Sequence, residues 1–223
     1  MGQSYRLVRR PRSRRLVLRL AADGEVVVSA PLGAPRFLIE RFLSEQEGWI
    51  KNHQGKLAAL QERLISQTAD LLFRGQSVPF RLNISSDEPS VTLKDGRFLV
   101  RSRSEDHQQV RQVLEGWYQQ AAKNYFSERV PLLADVVDRG VSKIAIRSSR
   151  TRWGSCSSGA TIALNWRLIQ APDWVSDYVI YHELAHLTHF NHSPAFWRLV
   201  DSWFPRHLLA RGWLKDHHQL LHF

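Results

Sequence analysis

The sequence predicts an α+β fold in which a smaller β-rich part precedes a mainly helical part. Short apolar runs rich in valine and leucine, separated by turn signals that contain Asp-Gly, dominate the first hundred residues. Beyond them, apolar residues recur at helical spacing over long stretches. With 223 residues, 43% of them hydrophobic, the chain is long enough for one sizeable domain or two small ones.

The N-terminal part is predicted to contain one helix between strands. Residues 14–30 hold two Val- and Leu-rich runs around Ala-Asp-Gly, which is typical of a β-hairpin. An amphipathic helix follows and extends toward Leu64. Further strands are predicted over residues 73–82 and 90–103, and the second of these segments turns at residues 94–97.

Residues 106–137 are predicted as a long helix that Pro131 bends or divides, because proline lacks the N–H that a helix interior needs. Two strand-like pieces follow over residues 143–148 and 160–167. The polar, basic segment SRTRWGSCSSG joins them. The two pieces are therefore predicted to form a hairpin with a long connection.

The remainder of the chain is predicted to be mostly helical. Pro172 and Asp173 mark the start of a helix that continues through a histidine-rich motif. Another helix is predicted to begin with Ser193 as its N-cap and Pro194 as its first residue. A basic tail follows, and its histidines, among them His218, are expected on the surface.

A domain boundary is predicted near Ser104, where the strand pattern gives way to helical spacing. It divides the chain into a β-rich N-terminal subdomain with one long helix, residues 1–104, and a second domain, residues 105–223. No Pro- or Gly-rich linker marks the boundary, which leaves open whether the two parts share one core.

Nothing in the sequence indicates a membrane segment or a secretory signal. The first 22 residues carry seven arginines and no acidic residue, which interrupts any apolar run long enough for a signal peptide. No stretch approaches about 18 consecutive apolar residues, the length of a membrane span. A single cysteine, Cys156, excludes an internal disulfide and fits a reducing compartment, so a cytoplasmic location is expected.

The chain is strongly basic, with a formal net charge of +10. Such a balance attracts anionic partners, including nucleic acid, nucleotides and acidic protein surfaces, without specifying which. The N-terminal arginines fit either a solvated edge strand whose charges discourage aggregation or an anion-binding face. Both interpretations stay open from the sequence, as does the oligomeric state.

The stretch HELAHLTHFNH, residues 182–192, holds four of the ten histidines. His182 and His186 stand four residues apart, so a helix places both imidazoles on one face, about 6 Å apart along its axis. That separation lets one Zn²⁺ bind both rings at about 2.1 Å. Glu183 is then placed to take a proton from a water that the metal activates. The motif therefore predicts a zinc site with Glu183 as general base.

A catalytic zinc needs a third protein ligand and one open position. His192 is the favoured third ligand, provided that the helix ends before it, and Asn191 with the Ser-Pro pair after it indicates such an end. On a straight helix His189 would lie about 10 Å along the axis from His182, too far to share the ion. His189 is therefore expected to hydrogen-bond to a metal ligand without contacting the metal itself, or to line the cleft. Asp201 is a fallback ligand.

Two large classes of zinc hydrolase do not fit the motif. One class takes a glutamate ligand from a later helix, but no glutamate occurs after Glu183. The metzincins share the spacing of the three histidines, yet His189 occupies their usual glycine position. No methionine beyond Met1 is present for the Met-turn of that class. The chain is therefore not a standard metzincin.

The segment RWGSCS supplies further candidate site residues. Its Gly-Ser-Cys turn offers backbone N–H groups beside the charge of Arg152, which suits a developing oxyanion or a phosphate. Arg152 or Asn165 is the candidate oxyanion partner. The alternative is a buried turn that only fixes the connection, since small residues there need no catalytic role. Cys156 is also considered as a thiol nucleophile or as a fourth zinc ligand.

Positions 152–201, from RWGSCSSG to HSPAFWRLVD, resemble the YgjP-like metallopeptidases, and the N-terminal stretch RFLSEQEGWI is also similar to this family. The resemblance implies a zincin-like α+β domain with an HExxH active-site helix. It implies that His182, His186 and His192 bind zinc and that Glu183 is the general base. The pattern that ends in H-S-x-x-F-W is also similar to the WLM and SprT-like proteases that act on proteins crosslinked to DNA, which would give the positive charge a purpose.

Three functional hypotheses follow. The first is a zinc metallopeptidase in which an extended peptide lies along the edge of the strand at residues 160–167. The second keeps the metal but makes the substrate a nucleotide phosphoanhydride, because arginines near the site suit phosphate, although no Gly-rich phosphate loop or aspartate cluster supports it. The third is a nucleic-acid-associated protein with a structural zinc, which leaves Glu183 without a purpose.

Overall fold

The structure, a computed structural model, describes residues 4–11, 13–20, 25–55, 70–138, 140–218 and 220–221. Within these residues the fold is mixed α+β, as the sequence predicts, with three β-sheets and six α-helices. The backbone divides into two compact units, residues 1–66 and 67–222. Over the described ranges, no helix is both long and apolar enough to cross a membrane.

The N-terminal unit contains a three-stranded sheet. Its strands are β1 (Tyr5–Arg10), β2 (Val17–Leu20) and β3 (Val26–Pro31). β3 is the central strand, parallel to β1 and antiparallel to β2. This confirms the pairing predicted within residues 14–30, while the predicted turn at residues 21–24 lies outside the described residues.

Two helical stretches follow this sheet. α1 spans Arg36–Glu45, and after a turn at Gln46 a second stretch, α2, is helical over residues 47–55. The rest of the helix predicted toward Leu64 falls outside the described residues. The core of the unit is formed by buried apolar side chains of β3 and of the two helices, namely Val26, Val28, Ala30, Ile39, Leu43 and Ile50.

β1 lies at one edge of this sheet, and two of its arginines are engaged within the protein. Arg6 donates to the carboxylate of Glu25 at 2.8 Å. Arg9 donates to three backbone carbonyl oxygens at the end of β3 and just after it. These bonds fit the edge-strand interpretation of the N-terminal arginines, and anion binding by the others stays a prediction.

The C-terminal unit begins with four strands, β4 (Asp70–Phe73), β5 (Gln76–Ile84), β6 (Ser90–Lys94) and β7 (Arg97–Ser102). They form one sheet in the order β4-β5-β7-β6. β6 and β7 are antiparallel and confirm the hairpin predicted over residues 90–103. Alternate side chains of β5 and β7 are buried, so one face of the sheet belongs to the core.

The strand predicted over residues 73–82 is in fact part of a hairpin, because the chain turns at Arg74 and Gly75. Both residues have a positive φ, 50° and 77°, which a strand does not allow. A Cβ on Gly75 would also lie 2.7 Å from the Cγ of Pro172, so the close approach requires glycine. Arg-Gly is not among the usual hairpin-turn pairs, which is why the sequence did not reveal this turn.

One long helix, α3 (His107–Ala134), packs against this sheet. Asp106 caps its first turn by accepting bonds from the backbone N–H groups of the second and third helical residues. Pro131 lies in the last turn and does not divide the helix. The rings of Phe98 and Trp117 meet edge-on, with 4.8 Å between their centroids. α3 thus joins the sheet to the rest of the unit.

The same packing explains where the compact units divide. Tyr118 of α3 contacts Phe98 of β7, and its hydroxyl group donates to the carbonyl oxygen of Leu72 in β4. The four-stranded sheet therefore belongs to the same compact unit as α3, residues 67–222, although the sequence predicts a boundary near Ser104 between them. The sequence pattern at that position marks a change from strands to a helix, and the packing continues across it.

The second sheet of this unit contains β8 (Lys143–Arg147), β9 (Gly154–Cys156) and β10 (Thr161–Asn165), in the order β8-β10-β9. β10 is parallel to β8 and antiparallel to β9. The hairpin predicted between residues 143–148 and 160–167 is therefore wrong. The segment that connects them contains a strand of its own, and three residues of Gly-Ser-Cys have no apolar alternation that would reveal it.

Helices make up the rest of the unit. A 3₁₀ helix (Trp166–Gln170) precedes α4 (Asp173–Ala185), which is followed by α5 (Pro194–Trp203) and α6 (His207–His217). α5 begins as predicted, because the Ser193 hydroxyl accepts a bond from the backbone N–H of the third helical residue. α6 occupies the segment that the sequence presents as a basic tail, so that prediction missed a helix.

α4 is largely buried, and two arginines hold its first turns. Arg74 donates to the carboxylate of Asp173, and Arg129 of α3 donates to Asp177 at 2.8 and 2.6 Å. The hydrogen bond from Arg74 holds the pKa of Asp173 below its ordinary value. These contacts fix the helix whose other end carries the histidine motif.

Candidate metal centre

The end of α4 positions the histidine motif. His182 and Glu183 lie in its last turn, and His186 caps its C-terminus. The chain then turns, and the backbone N–H of His189 donates to the carbonyl oxygen of the last helical residue. The helix thus ends before His192, which is the condition that the sequence sets for a third ligand.

The imidazoles of His182, His186 and His192 converge. Nε2 of His182 and Nε2 of His192 are 3.1 Å apart, and the three ring centroids lie 4.8 to 5.0 Å from one another. One nitrogen atom from each ring lies within 4.8 Å of the other two. Among the residues that the structure describes, no other three His, Cys, Asp or Glu side chains come together in this way.

The arrangement suits a tetrahedral metal ion such as zinc. Zinc binds imidazole nitrogen at about 2.0–2.1 Å, which places two ligand nitrogens about 3.4 Å apart in a tetrahedral site. The 3.1 Å between the Nε2 atoms of His182 and His192 is close to this value. Nδ1 of His186 lies 2.9 Å from the carbonyl oxygen of His189. That contact assigns the proton to Nδ1 and leaves the Nε2 lone pair for a metal.

Aromatic side chains surround the three imidazoles. Phe196 of α5 is fully buried, and its ring centroid lies 4.6 to 4.9 Å from those of the three histidines. Trp197 stacks on His192. Burial, together with the neighbouring histidines and Arg211, lowers the pKa of His182 to about 3. The ring is therefore neutral near pH 7, which is the form that binds metals.

Glu183 is buried against the backbone of β9. A Cβ added to Gly154 would lie 2.7 Å from the Glu183 Cγ and would also overlap the carboxylate oxygen. Glu183 is only 4% exposed, and this burial raises its pKa to about 8 against the opposing charge of Arg152. Glycine is therefore the residue at position 154 that leaves room for the carboxylate.

The histidines and Glu183 line a cavity of about 830 Å³ in the C-terminal unit. Its other walls come from β9, α6 and the segment before β9. The cavity is lined by the apolar and aromatic side chains Trp153, Tyr178, Val179 and Leu214 and by the cationic side chains Arg152, Arg211 and Lys215. A substrate in this space would contact both kinds of side chain.

The structure separates the two candidate oxyanion residues. Arg152 is exposed at the cavity. Asn165 is buried outside the cavity lining, and its side-chain N–H group donates to the carbonyl oxygens of Ser149 and Arg152 at 2.7 and 3.1 Å. Asn165 therefore holds the segment before β9. Cys156 lines the cavity but does not join the three histidines as a potential metal ligand.

His189 and Asp201 also stay apart from the converging nitrogens. His189 supports His186 through its backbone carbonyl group, and its side chain is not part of the cavity lining. Asp201 is exposed and lies 3.3 Å from Nδ1 of His207. Of the third ligands that the sequence leaves open, His192 is the one that the structure brings to the other two histidines.

The contribution of α6 to the cavity was missed from the sequence. Arg211, Leu214 and Lys215 line the cavity from this helix, together with His218, which the sequence places on the surface. The spacing of these four residues is that of one helical face and was the available signal. A proline before the segment and a glycine within it made the segment resemble an irregular tail.

Comparison with known proteins shows the family of the chain. The family model described as YgjP-like, metallopeptidase domain, matches residues 14–217, and the chain belongs to this family. The family and the three histidines together support a metal-dependent hydrolase that acts on peptides or proteins. The crystal structure of the metallopeptidase zymogen of Pyrococcus abyssi abylysin is similar, with 24% identity and a TM-score of 0.37 over 40% of this chain and 92% of its own. No curated protein matches the chain.

Proposed function

We propose that the protein is a zinc metallopeptidase with a zincin-like active site, in which His182, His186 and His192 bind the metal and Glu183 is the general base. The observation that carries the proposal is the convergence of three imidazoles beside a buried carboxylate at one cavity. Neutral imidazoles favour zinc over hard ions such as Mg²⁺, which prefer oxygen ligands.

A zinc ion held by these rings would polarise the scissile carbonyl group and lower the pKa of the attacking water. Glu183 takes a proton from that water and delivers it to the leaving amine. Burial raises the pKa of Glu183 to about 8 in the metal-free protein. A dication bound by the neighbouring histidines would lower this pKa, so the carboxylate could accept the proton and then release it to the amine. The close approach of Gly154 limits the space of the carboxylate at the cavity that the histidines also line.

β9 is the strand that we propose to bind the substrate backbone. It lies at an edge of its sheet and lines the cavity next to Glu183, so an extended peptide can pair with it as an additional strand. The sequence places this role on residues 160–167. β10, which covers most of that segment, instead lies in the centre of the sheet and pairs with strands on both sides. The strand that we propose to pair with the substrate is therefore β9 and not β10.

Arg152 and Tyr178 are the proposed donors to the developing oxyanion, since both line the cavity. Arg152 lines the same cavity as Glu183, and its charge opposes the rise in the pKa of that carboxyl group, which supports a role for the guanidinium close to the reaction. Tyr178 lies one helical turn before His182, and their ring centroids are 5.9 Å apart. Burial raises the pKa of Tyr178 to about 12, so its hydroxyl group stays a hydrogen-bond donor near neutral pH.

Gly154→Ala is expected to lower kcat/KM for peptide hydrolysis about 10- to 100-fold, because the new methyl group displaces the Glu183 carboxylate. Zinc content is expected to stay at the wild-type level, since the atoms nearest to the methyl group belong to Glu183. Steady-state kinetics and metal analysis of the same preparations measure both quantities. Gly159→Ala is the control, because its nearest neighbour would be an ordinary contact at 3.8 Å. Equal losses in both variants would contradict the role of Gly154.

Nucleotide hydrolysis is the second candidate function. The observation in its favour is the set of cationic side chains at the cavity, Arg152, Arg211 and Lys215, since such groups bind phosphate. A structural zinc in a nucleic-acid-associated protein is less well supported, because a closed structural site has no use for Glu183 at an open cavity. Nucleic-acid binding through the basic surface and a cytoplasmic location stay predictions.

The proposal is tested by incubating zinc-loaded protein with denatured casein and, separately, with nucleoside triphosphates. We expect new peptide termini by mass spectrometry and no release of phosphate or pyrophosphate. Removal of the metal by a chelator is expected to abolish cleavage, and added zinc is expected to restore it. Release of pyrophosphate without peptide cleavage would overturn the peptidase proposal in favour of the second candidate.

A further inference from the structure

Three cationic side chains at the cavity have no acidic partner in an ion pair within the described part of the chain. Arg152 stands on the β9 side, and Arg211 and Lys215 project from α6. No carboxylate oxygen of a described residue lies within 4.0 Å of their charged nitrogens. Elsewhere in the same unit an arginine such as Arg74 pairs with a carboxylate, that of Asp173. Arg211 and Lys215 therefore bring positive charge to the cavity without an ion-pair partner among the described residues.

The cavity offers little negative charge to offset these cations. Glu183 is the one acidic side chain among the described residues that line it, and it is buried against Gly154. Three neutral imidazoles would offset none of the charge of a bound divalent metal ion. A substrate that brings a negative charge of its own is therefore favoured over a neutral one.

Arg211 is held close to the histidines. Its guanidinium group lies over the ring of Trp197, 4.8 Å from the ring centroid. Trp197 in turn stacks on His192, with 5.7 Å between the centroids. A guanidinium held on an aromatic face loses little further freedom when it binds a carboxylate through its fork of N–H groups. Arg211 is thus prepared to bind an anion beside the metal centre.

Lys215 lies one helical turn after Arg211, so both cations share one face of α6, about 6 Å apart along the axis. Leu214 between them is buried at 5% exposure and fixes this face of the helix at the cavity. Lys215 itself is exposed to the solvent in the cavity. Both side chains line the same cavity from one face of α6, so their charges act together on an anion that enters it.

We propose that the substrates carry a carboxylate, which Arg211 and Lys215 bind on the α6 side of the cavity. This inference rests on the proposed peptidase function and adds the class of peptide to it. The carboxylate belongs to an aspartate or glutamate side chain near the scissile bond or to the C-terminus of the peptide. α6 thereby determines which peptides are cleaved, a selection that the metal ligands and Glu183 do not supply.

The test uses an unstructured neutral peptide, acetylated and amidated, and a series in which one glutamine at a time is replaced by glutamate. A further peptide keeps neutral side chains and has a free C-terminal carboxylate. We expect zinc-loaded wild-type protein to cleave a carboxylate-bearing peptide with a kcat/KM about 10- to 100-fold above that of the parent, the range of a charge-assisted hydrogen bond. The favoured peptide identifies the source of the carboxylate.

Lys215→Glu is expected to abolish or reverse this preference, and Lys215→Gln to reduce it to a few-fold. Lys123→Glu is the matched control, because Lys123 is an exposed cation of α3 outside the cavity and the substitution changes the net charge equally. It is expected to keep the wild-type preference. Equal cleavage of neutral and acidic peptides by the wild type, or an unchanged preference in Lys215→Glu, would overturn the proposal.

A binding measurement separates this inference from the peptidase proposal. The zinc-loaded Glu183→Gln variant is titrated calorimetrically with the same peptides, alone and combined with Lys215→Glu. Tighter binding of carboxylate peptides that depends on Lys215, without cleavage by the wild type, would support the anion site and refute the peptidase function. Cleavage of all peptides with no difference in binding would support the peptidase function and refute the anion site.

Discussion

Glu183→Gln is expected to lower kcat/KM for peptide hydrolysis at least about 1000-fold and to leave the zinc content unchanged. The amide has nearly the shape of the carboxylate but cannot take the proton of the attacking water, and general-base catalysis contributes about 10²–10⁴-fold. Glu183 is 4% exposed and lies close to Gly154, so a side chain of another shape would disturb the packing. Glutamine fits the same space, and the loss of rate therefore reports the missing base. Initial rates and metal analysis on one preparation measure both effects.

Glu128→Gln is the matched control for this experiment. It makes the same chemical change at an exposed position of α3, outside the cavity lining. Its rate is expected to equal that of the wild type. A Glu183→Gln protein that keeps one zinc per chain and more than about a tenth of the wild-type rate would contradict the general-base role.

His192→Ala is expected to abolish stoichiometric zinc binding and, with it, hydrolysis. The substitution removes one of the three converging nitrogens, and catalytic zinc sites use three protein ligands. The fold is expected to survive, because His192 is exposed. Metal analysis after dialysis measures the zinc. Thermal unfolding provides a second readout, since added zinc raises the Tm only of a protein that binds it in the folded state.

His189→Ala is the matched control for His192→Ala, three residues earlier in the chain. His189 supports His186 through its backbone carbonyl oxygen, which the substitution keeps. Zinc content and activity are therefore expected to stay near the wild-type values. If His192→Ala retained one tightly bound zinc ion, another donor would complete the site, and the same experiment on Cys156 and Asp201 would identify it.

The three-histidine centre could be predicted from the sequence because its members lie within eleven positions. The helical repeat places His182 and His186 on one face, and a helix end at Ala185 lets His192 return to them. Both conditions depend on local geometry, for which the sequence carries clear signals. The start of α5 also depends on neighbouring residues, because Ser193 is its N-cap, and it was predicted for the same reason.

The parts that could not be predicted depend on packing between distant segments. Arg211 and Lys215 reach the cavity only because α6 packs against α4, and no local pattern reports that contact. The side-chain amide of Asn165 donates hydrogen bonds to backbone carbonyl groups of the segment before β9. A sequence shows that an asparagine can donate hydrogen bonds, but the neighbours that accept them follow from the tertiary fold.

The termination of α4 next to the three imidazoles also has an electrostatic consequence. Aligned peptide dipoles leave about half a negative elementary charge at the carboxyl end of a helix. A dication bound by the three imidazoles would gain from this backbone field in addition to its coordination by the three nitrogen atoms. The same field repels anions, so a negatively charged group entering the cavity is driven away from the end of α4 and toward the guanidinium and ammonium groups on the facing helix.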